Sequence, residues 1–319
     1  MRVVLVEGLP GSGKSTTAHL LALHLSRCGY HVRWVYEHEE PHPVLPYAQL
    51  LQGMASGQLP VGVFDDALGH WERLVQGPED YLVLESAFYQ MPLHSMLLLD
   101  WEPQRIAHYV NAVASRLLHT QPLLVMLRHA DAASALAAAS RIRGDWFAGF
   151  LIERVTGSTY GRRLGLSGWP GVVTYFSAYA DLLDRLNTRL RTPLLLLDAA
   201  ADKRGFLVDV ACALGLPKPE PVRPPGDPLP CVGTFAPVEE VRGVGVDGSA
   251  RFVVVCRDGE LFLAGDDPTR LIHLEGRSFA VAGTPVRLRF EAGISGSLDR
   301  IECSAPLPNL PAHWHRIAA

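Results

Sequence analysis

Lys14 is one of three lysines in a chain with 29 basic residues, the others being Lys203 and Lys218. It lies in Gly8-Leu9-Pro10-Gly11-Ser12-Gly13-Lys14-Ser15-Thr16, which fits G-x-x-x-x-G-K-[ST], the spacing of a phosphate-binding loop. The glycines let the backbone curl so that successive N–H groups point at phosphate oxygens, and a following helix adds the partial positive charge of its N-terminus. Lys14 can then reach the β- and γ-phosphates of a nucleoside triphosphate, and the Ser15 hydroxyl can bind Mg²⁺. Gly8, Pro10, Gly11, Ser12, Gly13, Lys14, Ser15 and Thr16 are therefore the expected cradle for ATP or GTP. The motif does not say where the γ-phosphate goes.

Acidic residues supply the second half of such chemistry. Leu82-Val83-Leu84-Glu85 puts a carboxylate at the C-terminal end of an apolar strand, where ligands sit on an open α/β sheet. Glu85 can hold a Mg²⁺-bound water or act as a base toward a substrate hydroxyl; the other reading is a strand-end glutamate facing solvent. Leu97-Leu98-Leu99-Asp100 has the same look, but it follows Glu85 too closely for another parallel strand with its crossover. Asp100 therefore reads as a helix start or loop residue. Glu37, Glu39 and Glu40 fit either an acceptor hydroxyl or amine, or a surface acidic run. Pro41 interrupts the helix that would be needed to present His38 and His42 together, so no dedicated metal site is expected there.

The elements around these residues follow from apolar patterning. Short apolar runs at residues 2–6, 81–84, 123–127 and 194–197, with a further strand expected at 31–36, alternate with helical patterns at 15–28, between about 47 and 75, and at 105–118, 131–141, 171–190 and 203–214. That alternation implies a mainly parallel five-stranded sheet covered on both faces. Seven of the fourteen residues at 217–230 are proline, a semi-rigid linker. Beyond it, Asp258-Gly259 is a hairpin signal, and short runs at 251–256, 260–264, 271–274, 278–281, 286–290 and 298–303 predict a small antiparallel barrel or sandwich. The expected domains are thus 1–216, a linker at 217–230, and an all-β unit at 231–319.

Composition narrows the classes. The 319 residues are 48% hydrophobic and 19% charged, with a net charge of −4, so a large core is expected and phosphate neutralisation along nucleic acid is not. No apolar run approaches the roughly 20 residues needed to span a bilayer. The first seven residues read as a strand without a basic leader, so export is not indicated. Five scattered cysteines without C-x-x-C fit reduced thiols, and together these features predict a cytoplasmic protein.

With these residues in place, residues 1–216 resemble the P-loop nucleoside and nucleotide kinases, thymidylate kinase-like members most of all. The likeness rests on the loop at 8–16, on Glu37-His38-Glu39-Glu40-Pro41 after the second strand, and on Glu85-Ser86-Ala87-Phe88-Tyr89-Gln90 after the third. It implies that Glu85 assists phosphoryl transfer and that Phe88 and Tyr89 help form an acceptor pocket with Glu37, Glu39 and Glu40. Glu85-Ser86 stands where thymidylate kinases usually carry Asp-Arg. The resemblance also implies a lid at Arg141-Ile142-Arg143, whose arginines would neutralise transferred phosphoryl charge; a solvated basic turn is the other reading. It places Lys203 or Arg204 near an adenine base, against a plain helix-start loop. Val232-Gly233-Thr234-Phe235, Asp258-Gly259-Glu260-Leu261 and the 286–290 run resemble the small β-barrel appended to bacterial enzymes, beta-lactamase-related hydrolases included. That implies a packing or recognition module.

Three functions follow. The first is a Mg²⁺-dependent transfer of the ATP γ-phosphate to a small acceptor. The second is ATP or GTP hydrolysis without an acceptor, although none of Asn111, Asn187 and Asn309 precedes a lysine, which excludes guanine selection through Asn-Lys-x-Asp. The third is a nucleotide-switched binding module. Oligomeric state is not legible in the sequence.

Overall fold

In the computed structural model, the described residues are 1–59, 62–201, 203–220, 229–237, 251–265, 268–292, 298–304 and 312–317, without the side chains of Ile142, Asp145, Lys203, Arg204, Leu229 and Pro237. Two compact units divide the chain, Met1–Pro219 and Glu220–Ala319. Most of the proline-rich stretch expected as a linker lies outside the described residues. No helix among them is long and apolar enough to cross a membrane.

The first unit runs β1 (Arg2–Gly8), α1 (Lys14–Arg27), β2 (Val32–Val35), α2 (Tyr47–Ser56), α3 (Val63–Leu74), β3 (Tyr81–Glu85), α4 (Gln90–Leu98), α5 (Pro103–Leu117), β4 (Leu123–Arg128), α6 (Ala132–Arg143), α7 (Asp145–Thr156), α8 (Thr159–Arg163), α9 (Gly168–Asn187), β5 (Leu194–Asp198) and α10 (Lys203–Leu214). The strands form one sheet in the order β2-β3-β1-β4-β5, and every pairing is parallel. The sheet is thus wholly parallel.

Period-two alternation sorts the strand residues onto two cores. Val3, Leu5, Leu82, Leu84, Leu124 and Met126 pack beneath the helices from α2 to α9. Val4, Val6, Val83, Val125 and Leu127 pack against α1 and α10. Buried on both faces, β1 carries its C-terminal end into the middle of the sheet, between β3 and β4. The turn leading from β3 contains Ser86 at φ 59, and it delivers the chain into α4, a helix absent from the sequence reading. Asp100 lies in the turn after α4 with φ 60, not in a strand, and its carboxylate pairs with Arg163.

The second unit continues with β6 (Gly233–Pro237), β7 (Phe252–Arg257), β8 (Glu260–Leu263), β9 (Thr269–His273), β10 (Ser278–Val281), β11 (Arg287–Ala292), β12 (Leu298–Ser304) and β13 (His313–Ile317). They close into an antiparallel barrel in the order β10-β11-β12-β13-β6-β7-β8-β9. Two strands not expected, β6 and β13, pair with each other, and β13 with β12, to complete the closure. Phe235, Phe279, Phe290 and Trp314 fill the interior with Cys231 and Cys303. Burial raises both thiols to about 11, which suits inert core residues.

Candidate active site

The loop from Gly8 to Lys14 depends on two close approaches. A Cβ on Gly8 would lie 2.5 Å from the Leu127 carbonyl oxygen, and one on Gly11 would lie 2.8 Å from the Ala139 Cβ. Gly11 and Gly13 also hold φ of 80° and 91°, the left-handed region that other residues enter at a cost. Lys14 opens α1, is buried, and donates from Nζ to the Leu9 carbonyl at 3.0 Å. Burial lowers its pKa, opposed by Glu37, Glu7 and Glu85.

Three carboxylates surround that ammonium. Glu85 is fully buried; its Oε1 accepts the Glu37 backbone N–H at 3.1 Å, and the carboxyl shares a hydrogen bond with the Ser15 side chain. Burial first, then the neighbouring Glu37 charge, push its pKa up to about 8. Its phase along β3 matches Tyr81 and Val83, which face α1, so the sheet aims it at Ser15. Glu37, just past β2, accepts from Ser86 Oγ and from Gln90 Nε2, each at 3.0 Å. The left-handed turn at Ser86 brings that hydroxyl under Glu37.

The sequence reading missed the third acid. Glu7 follows Val3 and Leu5 in phase on β1 and is 1% exposed. Its carboxylate takes the backbone N–H groups of Phe88 (2.8 Å), Tyr89 (3.0 Å) and Gln90 (3.1 Å), and so caps α4 from another strand. Burial raises its pKa to about 7 despite those three bonds and Lys14. The only sequence signal was an acid closing the β1 apolar run directly before Gly8.

Beside this cluster is a cavity of about 100 Å³, with Pro10, Glu37 and Gln90 at one side. Its aromatic walls come from Tyr47 on α2, Phe147 and Phe150 on α7, and Phe176 and Tyr179 on α9. His94 also lines it; its Nδ1 is 2.9 Å from the Tyr175 hydroxyl, its ring stacks on Phe176, and burial holds its pKa down at about 3. His94 is therefore a neutral imidazole at ordinary pH. A larger cavity of about 240 Å³ lies between β4 and α9. There Arg128 pairs with Asp184 at 2.7 Å, beside Asp131 and Asp181, a poor match for a triphosphate.

The structure gathers Lys14, Ser15, Glu37 and Glu85 into one network and puts Arg143 on the cavity wall, its guanidinium 4.7 Å from the Phe147 ring centre. Arg141 is exposed and does not line the cavity. Glu39 pairs with Arg33 at 2.9 Å, and Glu40 is exposed. Phe88 and Tyr89 are core residues, 1% and 0% exposed, with the Tyr89 hydroxyl donating to Asn187. His42 accepts two turn N–H groups, from Val44 and Leu45, and burial lowers its pKa to about 4. Lys203 begins α10, and its side chain, like that of Arg204, lies outside the described residues.

No protein-family model matches the chain, and no curated protein matches it. Among solved structures it is similar to shikimate kinase from Aquifex aeolicus vf5, at 12% identity and TM-score 0.32, over 67% of this chain and 96% of that one. It is also similar to EHV4-TK complexed with TP4A, at 13% identity and TM-score 0.25, over 66% of this chain and 91% of that one. The architecture itself is a five-stranded parallel sheet carrying a phosphate-loop motif, followed by a closed eight-stranded barrel.

Proposed function

We propose that this chain is a Mg²⁺-dependent phosphotransferase that moves the γ-phosphoryl group of ATP, or of GTP, to a small acceptor held in the aromatic cavity. The observation that carries this reading is the position of Glu37. Its carboxylate lies in the Lys14–Glu85 cluster and also lines the aromatic cavity. A hydrolase needs only water at that point and has no use for a walled pocket.

The residues divide the work by position. The loop N–H groups and Lys14 hold phosphate oxygens. Ser15 and Glu85 offer hard oxygen ligands, and Glu85 Oε2 is buried without a hydrogen-bond partner. That donor set fits Mg²⁺, which takes one or two protein oxygens and completes its shell with water and phosphate. Among the described residues no group of three or more His, Cys, Asp or Glu residues could hold a metal ion. When bound, the ion neutralises charge on the phosphate oxygens. Glu37 accepts the acceptor hydroxyl proton, and Ser86 and Gln90 fix the orientation of its carboxylate. Arg143 offers positive charge from the α6–α7 junction.

The test is Mg²⁺-dependent ADP formation by the purified chain, with ATP alone and with pools of nucleosides, nucleotides and sugars; Lys14→Ala is the control for contaminants. Formation that rises with one pool supports transfer and names the acceptor class. Steady release independent of every pool replaces this reading with a hydrolase. Tight nucleotide binding without turnover replaces it with a switch.

A further inference from the structure

Arg154 lies on α7 about 14 Å along the helix axis from its first residue. It lines the cavity and is half-buried. Its guanidinium carbon is 5.2 Å from the Phe150 ring centre, and Nη2 reaches only the Met54 sulfur, at 3.4 Å. Nε is buried without any hydrogen-bond partner. No carboxylate among the described residues lies within ion-pair distance. Burial lowers the pKa of its guanidinium. Withdrawing a cation from water without a counter-charge costs several kcal/mol in general, and an apolar residue of similar length would avoid that cost. A guanidinium so placed can form a bidentate pair with a carboxylate or phosphate that enters the cavity.

Glu37, Arg143 and Arg154 line the same cavity, together with Tyr47 and His94. Glu37 already accepts from Ser86 and Gln90, whereas Arg154 has no carboxylate partner among the described residues. We propose that the acceptor is an anionic alcohol whose carboxylate or phosphate pairs with Arg154, so that its hydroxyl is turned toward Glu37. Resting on the transfer reading above, this narrows the acceptor to ring-sized compounds with a negative group opposite the reacting hydroxyl. The aromatic walls suit the ring between them.

The test uses the full chain and two series of ring alcohols that differ only in the group opposite the hydroxymethyl: para-hydroxymethylbenzoate, the corresponding phenyl phosphate and the neutral benzamide, with their cyclohexane counterparts. Calorimetry without nucleotide is expected to show an anion binding roughly tenfold to a hundredfold tighter than its amide. The tighter of carboxylate and phosphate identifies the source of the charge. Arg154→Met, which keeps the apolar stem against Phe150, is expected to abolish the preference; Arg154→Lys restores part of it, and Arg143→Met leaves it intact. Absence of an anion preference in both series overturns the proposal, as does a preference that survives Arg154→Met. ADP formation with the same compounds separates the two readings. Arg154-dependent binding without ADP keeps the anion site and removes the transfer reaction. Amide and acid phosphorylated alike, with Arg154→Met unchanged, keeps transfer and removes the anion site.

Discussion

Replacing Glu7 by Gln is expected to invert the stability order of the two proteins across neutral pH. The Glu7 carboxyl titrates at about 7 in the folded chain, against 4.5 for the unperturbed group. The folded state thus holds the proton more tightly. The stability this contributes is fully present below the unfolded value and is lost as pH rises through the folded one. At 1.36 kcal/mol per pH unit the loss between those values is about 3 kcal/mol. Glutamine does not titrate. Its amide, however, must turn an N–H₂ toward at least one of the three N–H groups that Glu7 accepts from, which costs about 1–3 kcal/mol. The variant should therefore be less stable by that amount at roughly pH 5 and equal to or more stable than the parent at roughly pH 8. Amide exchange of the most protected residues of β1 and β4 measures this, because those amides report opening of the Met1–Pro219 unit alone. Taking the difference between the two proteins at each pH cancels every other titrating group. Parallel curves would refute the argument that burial controls the Glu7 proton.

Gly11→Ala forces φ of 80° on a residue with a Cβ and drives that atom to 2.8 Å from Ala139; a loss of at least ten-fold in nucleotide affinity is expected by calorimetry, with a stability cost of about 1–2 kcal/mol. Glu85→Gln keeps the shape at Ser15 but cannot ionise to become a Mg²⁺ ligand, so ADP formation should fall by about a hundredfold or more while the thermal transition is retained. Both arginines are exposed, but only Arg143 lines the cavity; Arg143→Ala should therefore reduce turnover, whereas Arg141→Ala should leave it within about twofold, and equal losses would place the working charge elsewhere. Truncation after Pro219 should preserve the unit's thermal transition, because the final ties of that unit, Arg2 to the Leu214 carbonyl and His24 to the Pro217 carbonyl, are retained. Truncation before Pro217 should lower it.

What the sequence discloses depends on how local the cause is. The phosphate loop is legible because strand, glycines, lysine and helix are consecutive, and four of the five strands are legible as apolar runs, β2 being interrupted by Arg33. Glu85 is legible as a strand-end acid, but its aim at Ser15 comes from the pleat phase it shares with Tyr81 and Val83. Glu7 obeys the same rule on β1, yet an acid at the end of an apolar run gives no sign that α4 will bring three N–H groups to it from beyond β3. Phe88 and Tyr89 look like pocket walls because they follow Glu85; the Glu7 cap instead turns the chain into α4 and buries both rings in the core. The cavity walls then come from α2, α7 and α9, segments far apart in sequence. Arg154 is invisible for the same reason, since one arginine among many acquires meaning only when α7 packs it beside Met54 and Phe150, with no acid among the described residues in ion-pair reach. On the transfer reading proposed above, phosphate chemistry is written in one local segment, whereas selection of the acceptor depends on tertiary packing around Glu37. That reading expects substitutions on α2, α7 and α9 to alter the acceptor without touching the phosphate-loop motif.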